Sequence, residues 1–579
     1  MPSGKTAGQR PPRPPYDPAN PLIVQSDRTV LVEVDNPRYA EARDALAPFA
    51  ELEKSPEHIH TYRISDLSLW NAAAAGISAE QMLDVLAQFS KFPLPSNLAV
   101  DIEERVSRYG RVRLEKHGEK LRLICQDAPL LEELARQSKL RQLFGERIDA
   151  TSFAIEPGFR GVVKQALIAV GYPAEDLAGY TAGADLPTNL RTIARSGLPF
   201  VVRDYQTASA DVFHAGGDVR GGSGVIVLPC GSGKTIVGIA VMSKLQKSTL
   251  VLTTSITAVK QWKREILDKT DLSEEQVAEY TGETKDIAPV TLATYQILTY
   301  RPEKSEEFPH FQIFDQRDWG LIIYDEVHLL PAPVFRVTAQ IQARRRLGLT
   351  ATLVREDGRE ADVFSLIGPK KYDVPWRDLE TRGWIAEANC CEIRVGLPEA
   401  LRMEYAVAEW RHKYRLASEN PVKADIVGHL LERYRGARVL IIGQYLAQLR
   451  QLAKRFELPL ITGQTATAER EDLYAKFRRG ETRHLILSKV GNFAIDLPDA
   501  NVLIQVSGTF GSRQEEAQRL GRILRPKAGG EVAHFYTLVT RDTRELDFAH
   551  HRQMFLTEQG YSYRIQDGAE MLAPVSAAG

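Results

Sequence analysis

Cysteine is scarce: four in 579 residues, and their positions say more than the count. Cys125 and Cys230 stand alone while Cys390 and Cys391 are adjacent, so no spacing resembles a zinc or iron–sulfur ligand set and no disulfide framework is expected. That usage suits a reducing cytosol, and a cytoplasmic location is the expectation. No apolar run reaches the ~18 residues of a membrane helix, and the first residues lack the apolar core of a signal peptide, so no membrane partner is expected. Net charge is also nearly absent, with 74 Lys and Arg against 75 Asp and Glu. A neutral total does not exclude nucleic acid, because phosphate binding needs only a local basic surface. No short-period internal repeat is visible.

What is present is an ordinary soluble composition, 43% hydrophobic and 26% charged, on a chain long enough for about four domains. Residues 1–20 hold the Pro-rich "GQRPPRPPYDPANP", read as a flexible tail. Beyond it, "TVLVEV" reads as a strand and "PRYAEARDALAPFAEL" as a helix. "SAEQMLDVLAQFSKF" and "NLAVDIEERVSRYG" show helical apolar spacing. "GRVRLEKHGEKLRLIC" alternates about a His117–Gly118 turn, as a β-hairpin does. Two helices followed by a two-stranded wing predict a winged-helix-like module over 21–128, able to meet DNA or a protein neighbour. Residues 129–199 read as a small α/β module whose clearest helix is stopped by Gly171 and Pro173.

From about residue 200 short β-branched runs alternate with amphipathic helices: "GVIVLP", "STLVLTT", "PVTLATY", "GLIIYDE", "RRLGLTAT". The pattern restarts with "ARVLIIG", "LPLITG", "RHLILS", "ANVLIQV" and "EVAHFYTLV". Such runs suit strands buried on both faces of a parallel sheet. The fold class is α/β, with two consecutive parallel domains over 200–373 and 374–560 and a tail over 561–579.

In "VIVLPCGSGKT" a strand ends in a glycine-containing loop that opens a helix. Gly231 and Gly233, flanking Ser232, let backbone N–H groups approach phosphates, and the helix N-terminus adds its positive end. Lys234 then reaches the β- and γ-phosphates of ATP, and Thr235 places its hydroxyl on Mg²⁺. Leu228 stands where the simple P-loop pattern has Gly. A bare Gly-Lys turn can open a helix with no ligand, but the strand–loop–helix order favours a nucleotide. In "LIIYDEVHLL" a buried strand delivers Asp325 to its C-terminal end, where open α/β sheets bind ligands. Asp325 would hold Mg²⁺, directly or through water, and Glu326 would position and deprotonate the attacking water. His328 is either a capping or packing histidine or a link from the γ-phosphate to the other domain.

"VRDYQ" precedes this loop. Gln206 can present a donor and an acceptor to an adenine edge, and Arg203 can stack or hydrogen-bond nearby, although so short a signal also fits ordinary surface residues. In "EEAQRLGRILRP", Gln518, Arg522 and Arg525 recur at helical spacing. Two guanidinium groups reaching across a cleft can stabilise charge on the transferred phosphoryl group. A solvated charged helix is the alternative for a lone pair of arginines.

The set "LPCGSGKT", "DEVH", "TAT" and "QRLGRILR" resembles a superfamily 2 helicase motor, two RecA-like domains with ATP between them. With "LGLTATLVRED", "SKVGNFAIDLPDA" and "VSGTFGSRQEEAQRLGRILRPK", residues 200–560 are similar to the XPB family of DNA helicases and translocases. The resemblance implies that Thr350 and Thr352 link hydrolysis to DNA contact. It implies that Arg355, Glu356 and Asp357 are the family's RED motif, used in duplex separation; carboxylates do not grip phosphate, so Glu356 and Asp357 act as a wedge or meet a basic partner, with a solvated charged loop as the alternative. Thr254, Ser255, Gly282, Thr294 and Tyr295 match backbone-contacting motifs of the first motor domain, and Gln444 and Ser488 those of the second. Asp496 falls where the coupling motif touches nucleotide, with Ala494 where many such motors have Gly. The interval holding "RHKYRLASENPVKAD" is short for the long DNA-gripping thumb of archaeal relatives and fits a reduced version of it, and 129–199 stands where relatives carry a damage-recognition domain.

The expected function is an ATP- and Mg²⁺-dependent 3′→5′ DNA helicase or translocase in DNA repair, acting on single-stranded and forked duplex DNA. The alternatives are an RNA helicase and an ATP-gated DNA clamp serving a nuclease partner. The oligomeric state stays open, with a monomer favoured.

Overall fold

The computed structural model describes residues 16–572, apart from 57, 230, 304–307, 343, 352–357, 375–378, 380–381, 385–387, 489–499, 509–531 and 559–560. The chain divides into two compact units, Met1–Arg108 and Tyr109–Gly579.

The first unit is built on an antiparallel sheet of β1 (Leu22–Val24), β2 (Thr29–Glu33), β3 (Glu51–Lys54) and β4 (Ile59–Arg63), in the order β1-β2-β4-β3. On β2 the buried residues alternate, with Val30 and Val32 inward, so one face of the sheet carries the core. The helices Asp66–Ala74 and Ala79–Phe89 each open on a serine capping box, at Ser65 and Ser78, and Ser96–Arg108 follows. The helix expected over 37–52 is shorter, Tyr39–Leu46. Pro48 has no N–H to continue it, and the chain turns into β3.

In the second unit β5 (Val112–His117) and β6 (Lys120–Cys125) form the expected hairpin. It is not the wing of the 21–128 module. β6 pairs with β8 (Ser152–Ile155), which pairs with β7 (Arg147–Asp149), and β5 pairs with β9 (Ala174–Leu177). The hairpin is therefore the centre of a five-stranded sheet. Its inward residues Val112, Leu114, Leu121, Leu123 and Cys125 are covered by the helices Ala128–Arg136 and Arg160–Ala169, which only the downstream sequence supplies.

A buried charge cluster ties this module together. Arg160 grips Asp176 with Nε at 3.0 Å from Oδ2 and Nη2 at 2.8 Å from Oδ1, while Lys164 Nζ lies 2.8 Å from Oδ2. Burial alone would raise the Asp176 carboxyl, but the two cations hold it well below the usual carboxylate range. Asp176→Asn leaves the buried Arg160 without its counter-charge and removes the carboxylate that keeps the buried Lys164 protonated. The expected cost is about 3–5 kcal/mol, read as a lower denaturant midpoint; an unchanged midpoint rejects the cluster as a stabilising element.

Two seven-stranded sheets follow, parallel throughout. The first contains β10 (Ser223–Val227), β11 (Thr249–Thr253), β12 (Val277–Tyr280), β13 (Val290–Thr294), β14 (Leu321–Asp325), β15 (Arg345–Thr350) and β16 (Lys370–Asp373). Its order is β12-β13-β11-β14-β15-β10-β16. The second contains β17 (Ala388–Val395), β18 (Val439–Gly443), β19 (Leu460–Ile461), β20 (His484–Ser488), β21 (Val502–Gln505), β22 (Ala533–Thr540) and β23 (Ser562–Asp567). Its order is β19-β20-β18-β21-β22-β17-β23. Every residue of β11, β13 and β18 is buried, as continuous apolar runs between two helical layers require. These are the two RecA-like domains. The expected tail after 560 is corrected: Ser562–Asp567 adds to β17 as the edge strand, and Gly568–Leu572 is helical. Its alternation is short and polar, and only the partner strand makes it legible. Between β17 and β18 the short interval folds as the helices Glu399–Val407, Trp410–Ser418 and Val422–Arg433.

Candidate active site

The C-terminal ends of β10, β14 and β15 gather the chemistry of the first parallel sheet. From β10 the chain passes through the glycine loop into the helix Lys234–Leu245. Gly233 caps that helix at φ +85°, a left-handed conformation that glycine adopts without strain. A side chain there would also strike Gln206, whose Nε2 lies 2.6 Å from the position a Cβ would take. Ser232 is buried, its hydroxyl donating to Pro229 O at 2.6 Å. Lys234 thus starts the helix, with Thr235 beside it.

Across the strand ends, Lys234 Nζ lies 3.2 Å from Glu326 Oε1. Glu326 stands at φ +51°, a left-handed backbone uncommon for a residue with a side chain and typical of positions the surrounding fold over-determines. Burial works to raise its carboxyl, yet the charges of Lys234 and His328, with the Ala351 N–H, bring it below the usual range. Its neighbour Asp325 moves the other way: burial first, then the Glu326 charge, push it up to about 6. The indole Nε1 of Trp262 donates to Asp325 Oδ2 at 2.8 Å and so fixes the carboxylate. Trp262 packs against the P-loop helix where Gly238 leaves room; a Cβ on Gly238 would fall 2.5 Å from the indole. Neither Trp262 nor Gly238 was expected from the sequence, where an aromatic on a helix reads as core.

His328 is both a packing residue and a link. Its Nδ1 lies 2.7 Å from Thr350 Oγ1 and 3.6 Å from Glu326 Oε2. Thr350, at the end of β15, is thereby joined to the carboxylate pair at the end of the adjacent strand β14.

The amide of Gln206 is turned largely inward. Its Nε2 donates to Ser232 O at 3.0 Å and reaches Tyr205 Oη at 3.3 Å, while its Oε1 accepts from the Arg203 N–H at 3.0 Å. The donor expected for an adenine edge is thus engaged with the P-loop, and one lone pair of the carbonyl oxygen is what remains. The Tyr205 hydroxyl also donates to Ser232 O.

The remaining first-domain residues divide. Ser255 Oγ caps the helix Ile256–Lys269 by accepting from Ala258 N–H, with Thr254 just before it. A Cβ on Gly282 would meet nothing within 4 Å, so this glycine faces open space. Thr294 and Tyr295 are buried instead: Thr294 caps a short helix, and the Tyr295 hydroxyl donates to Asp325 O at 2.9 Å. Tyr295 therefore supports the carboxylate strand from below. In the second sheet Ser488 pairs with Gly443 across β20 and β18, and Gln444, next in chain, donates its N–H to Ser507 Oγ at 2.8 Å. Thr352, Arg355, Glu356, Asp357, Asp496, Gln518, Arg522 and Arg525 lie outside the described residues.

The donor set fits Mg²⁺. Asp325 and Thr235 offer hard oxygen atoms, and Mg²⁺ is commonly held by one or two carboxylates together with substrate phosphates rather than by a protein cage.

Comparison with known proteins gives the same outline. Residues 379–574 match a family model described as the ERCC3/RAD25/XPB C-terminal helicase, and residues 199–355 match one described as the Type III restriction enzyme, res subunit. A third, a helicase conserved C-terminal domain, matches residues 22–149. The DNA 3′-5′ helicase XPB of Mycobacterium tuberculosis is 54% identical over 96% of this chain and 99% of its own length. That of Kineococcus radiotolerans is 54% identical over 95% and 97%. The general transcription and DNA repair factor IIH helicase/translocase subunit XPB of Enterocytozoon bieneusi is 34% identical over 94% and 92%. With identity of this order along nearly the whole of both chains, and with the nucleotide motifs gathered at one sheet edge, the chain belongs to the XPB family of superfamily 2 helicases.

Proposed function

We propose that the chain is an ATP-dependent 3′→5′ DNA helicase acting in DNA repair. The observation that carries this reading is the meeting of Lys234, Asp325, Glu326 and Thr350 at one edge of a parallel sheet, in a chain 54% identical to a DNA 3′-5′ helicase.

The chain's own residues supply the steps. The amides around Gly231 and Gly233 and the start of the helix Lys234–Leu245 receive the phosphates. Lys234, paired with Glu326 in the structure, exchanges that partner for the phosphates of ATP. Glu326 then loses the charge that holds its carboxyl low, and burial raises it toward the range of an effective base. It takes the proton of the attacking water. Asp325 and Thr235 would hold Mg²⁺, which neutralises phosphate charge when bound. Through His328 and Thr350 the state of Glu326 reaches the segment that follows β15, where the RED residues stand. Arg522 and Arg525 belong to the same proposal, stabilising the transferred phosphoryl group from the second domain. Alternating grip on one strand's phosphates makes DNA binding largely independent of sequence and strongly dependent on salt. A cytoplasmic location is part of this reading. No helix among the described residues is long and apolar enough to cross a membrane.

The test is steady-state ATP hydrolysis at one salt concentration with no nucleic acid, single-stranded DNA, forked duplex DNA and matched RNA, followed by strand displacement on the fork. Stimulation by DNA above RNA, with displacement in the 3′→5′ sense, is the expected result. Stimulation by RNA alone overturns the DNA assignment. Hydrolysis without displacement leaves a translocase, and no hydrolysis with any of the four favours the clamp serving a nuclease.

A further inference from the structure

The Gln206 amide is engaged mainly with its own loop, so recognition of the base needs another surface. The structure offers one in the stretch joining the two parallel domains. There Trp384 N–H donates to Leu379 O at 2.9 Å, closing a turn that contains Gly383 at φ +67°. The left-handed glycine sets the direction of the turn and delivers the indole of Trp384 to the start of the helix Asp204–His214. The indole packs on Tyr205, with ring centroids 4.9 Å apart and planes tilted by 39°. Tyr205 in turn holds the P-loop carbonyl of Ser232. Two guanidinium groups attend the same indole, Arg203 at 5.6 Å and Arg382 at 5.3 Å. Arg382 also pairs with Asp204.

These groups border a pocket of about 210 Å³ whose walls include Tyr205, Trp384, Tyr372, Leu379 and Arg382. It is smaller than the roughly 300–1,000 Å³ of whole-ligand sites, and its lining suits one planar ring system. Aromatic faces and guanidinium planes bind flat π-systems, whereas the carboxylates of Asp204 and Asp373 in the same lining repel phosphate. Tyr205 lines this pocket and also donates to the Ser232 carbonyl of the phosphate loop.

We propose that this pocket is the base subsite of the nucleotide site and that Trp384 contacts the purine ring of ATP. The proposal rests on the nucleotide-site reading above and deepens it. Tyr205 and Arg203 hold the indole in place, and the base meets the indole face that lines the pocket. The segment between the motor domains thereby touches the nucleotide directly, and Trp384 sets the preference for a nucleotide with a large flat base.

The test is equilibrium binding of a non-hydrolysable ATP analogue and of inorganic tripolyphosphate, with Mg²⁺, to the full chain and to Trp384→Ala and Trp384→Phe. Trp384→Ala is expected to weaken the analogue about tenfold, the scale of one base–aromatic stack, and to leave tripolyphosphate within about twofold of it. Trp384→Phe should recover most of the loss. In turnover, the KM for ATP of Trp384→Ala should rise in the same proportion while kcat at saturation is largely kept. Equal weakening of both ligands overturns the proposal in favour of a structural role, and no weakening of the analogue overturns it outright. Should Trp384→Ala fail to fold, Trp384→Leu, which keeps apolar bulk but offers no flat face, takes its place in the same two-ligand comparison: selective weakening of the analogue is the expected result, and binding of both ligands as in the unaltered chain overturns the contact. Failure of the unaltered chain to bind either ligand would instead reject the nucleotide site itself.

Discussion

Lys234→Ala is expected to abolish ATP turnover, lowering kcat/KM by about 10³-fold or more. The side chain is a cation 3.2 Å from Glu326, on the first residue of the P-loop helix. Two effects combine. The transferred phosphoryl group loses a fixed positive charge in a site sheltered from water, where such charges count most. Glu326 also loses the cation that lowers its carboxyl, so burial raises it before any ATP has bound. The sign of that second effect bears on stability. A carboxylate with a depressed folded pKa contributes stability above its unfolded value, and that contribution is lost as pH falls through the folded value. Lys234→Ala removes part of this contribution at neutral pH, so the variant should be slightly less stable as well as inactive. Phosphate release measured beside a thermal melt checks both. Substantial residual hydrolysis in a folded variant would reject the P-loop assignment.

Glu326→Gln separates binding from chemistry. The amide is nearly isosteric with the carboxylate and keeps an acceptor for the Ala351 N–H, but it cannot take a proton from water. Hydrolysis should fall by about 10²–10⁴-fold. ATP binding should be retained and at least as tight, because Lys234 no longer has to leave an ion pair to meet the phosphates. Single-turnover hydrolysis and analogue binding on the same preparation make the comparison. An unchanged rate excludes Glu326 as the base, and loss of binding would show that its charge is needed to shape the pocket.

These two residues also show how far local pattern reaches. The placement of Lys234 at the start of a helix and of Asp325 at the end of a buried strand was legible because each follows from a contiguous run of sequence. Parallel strands buried on both faces were legible for a related reason, since unbroken apolar runs have few other uses. The hairpin Val112–Cys125 was legible as a hairpin but not by its place, because alternation records which side of a strand is buried and not which strand lies beside it. Tyr295 and Gln206 have the right positions in the chain, yet the structure turns both toward the protein, one under Asp325 and the other against the P-loop.

By itself the sequence determined the class of chain: two consecutive parallel α/β domains, a phosphate loop, a carboxylate pair at the end of another buried strand, and the family that joins them. Those features follow from local periodicity and from contiguous motifs. Tertiary structure alone decided that Trp262 would steady Asp325, that His328 would bridge Glu326 to Thr350, that Arg160, Lys164 and Asp176 would bury their charges together, and that Trp384 would come to rest on Tyr205. Each joins residues separated along the chain, and the side chains involved are common enough that nothing in their spacing distinguishes them from ordinary core or surface. What distinguishes them is the shared loss of water on folding: a buried carboxylate, imidazole or indole N–H must find a partner, and only the folded chain determines which one is within reach.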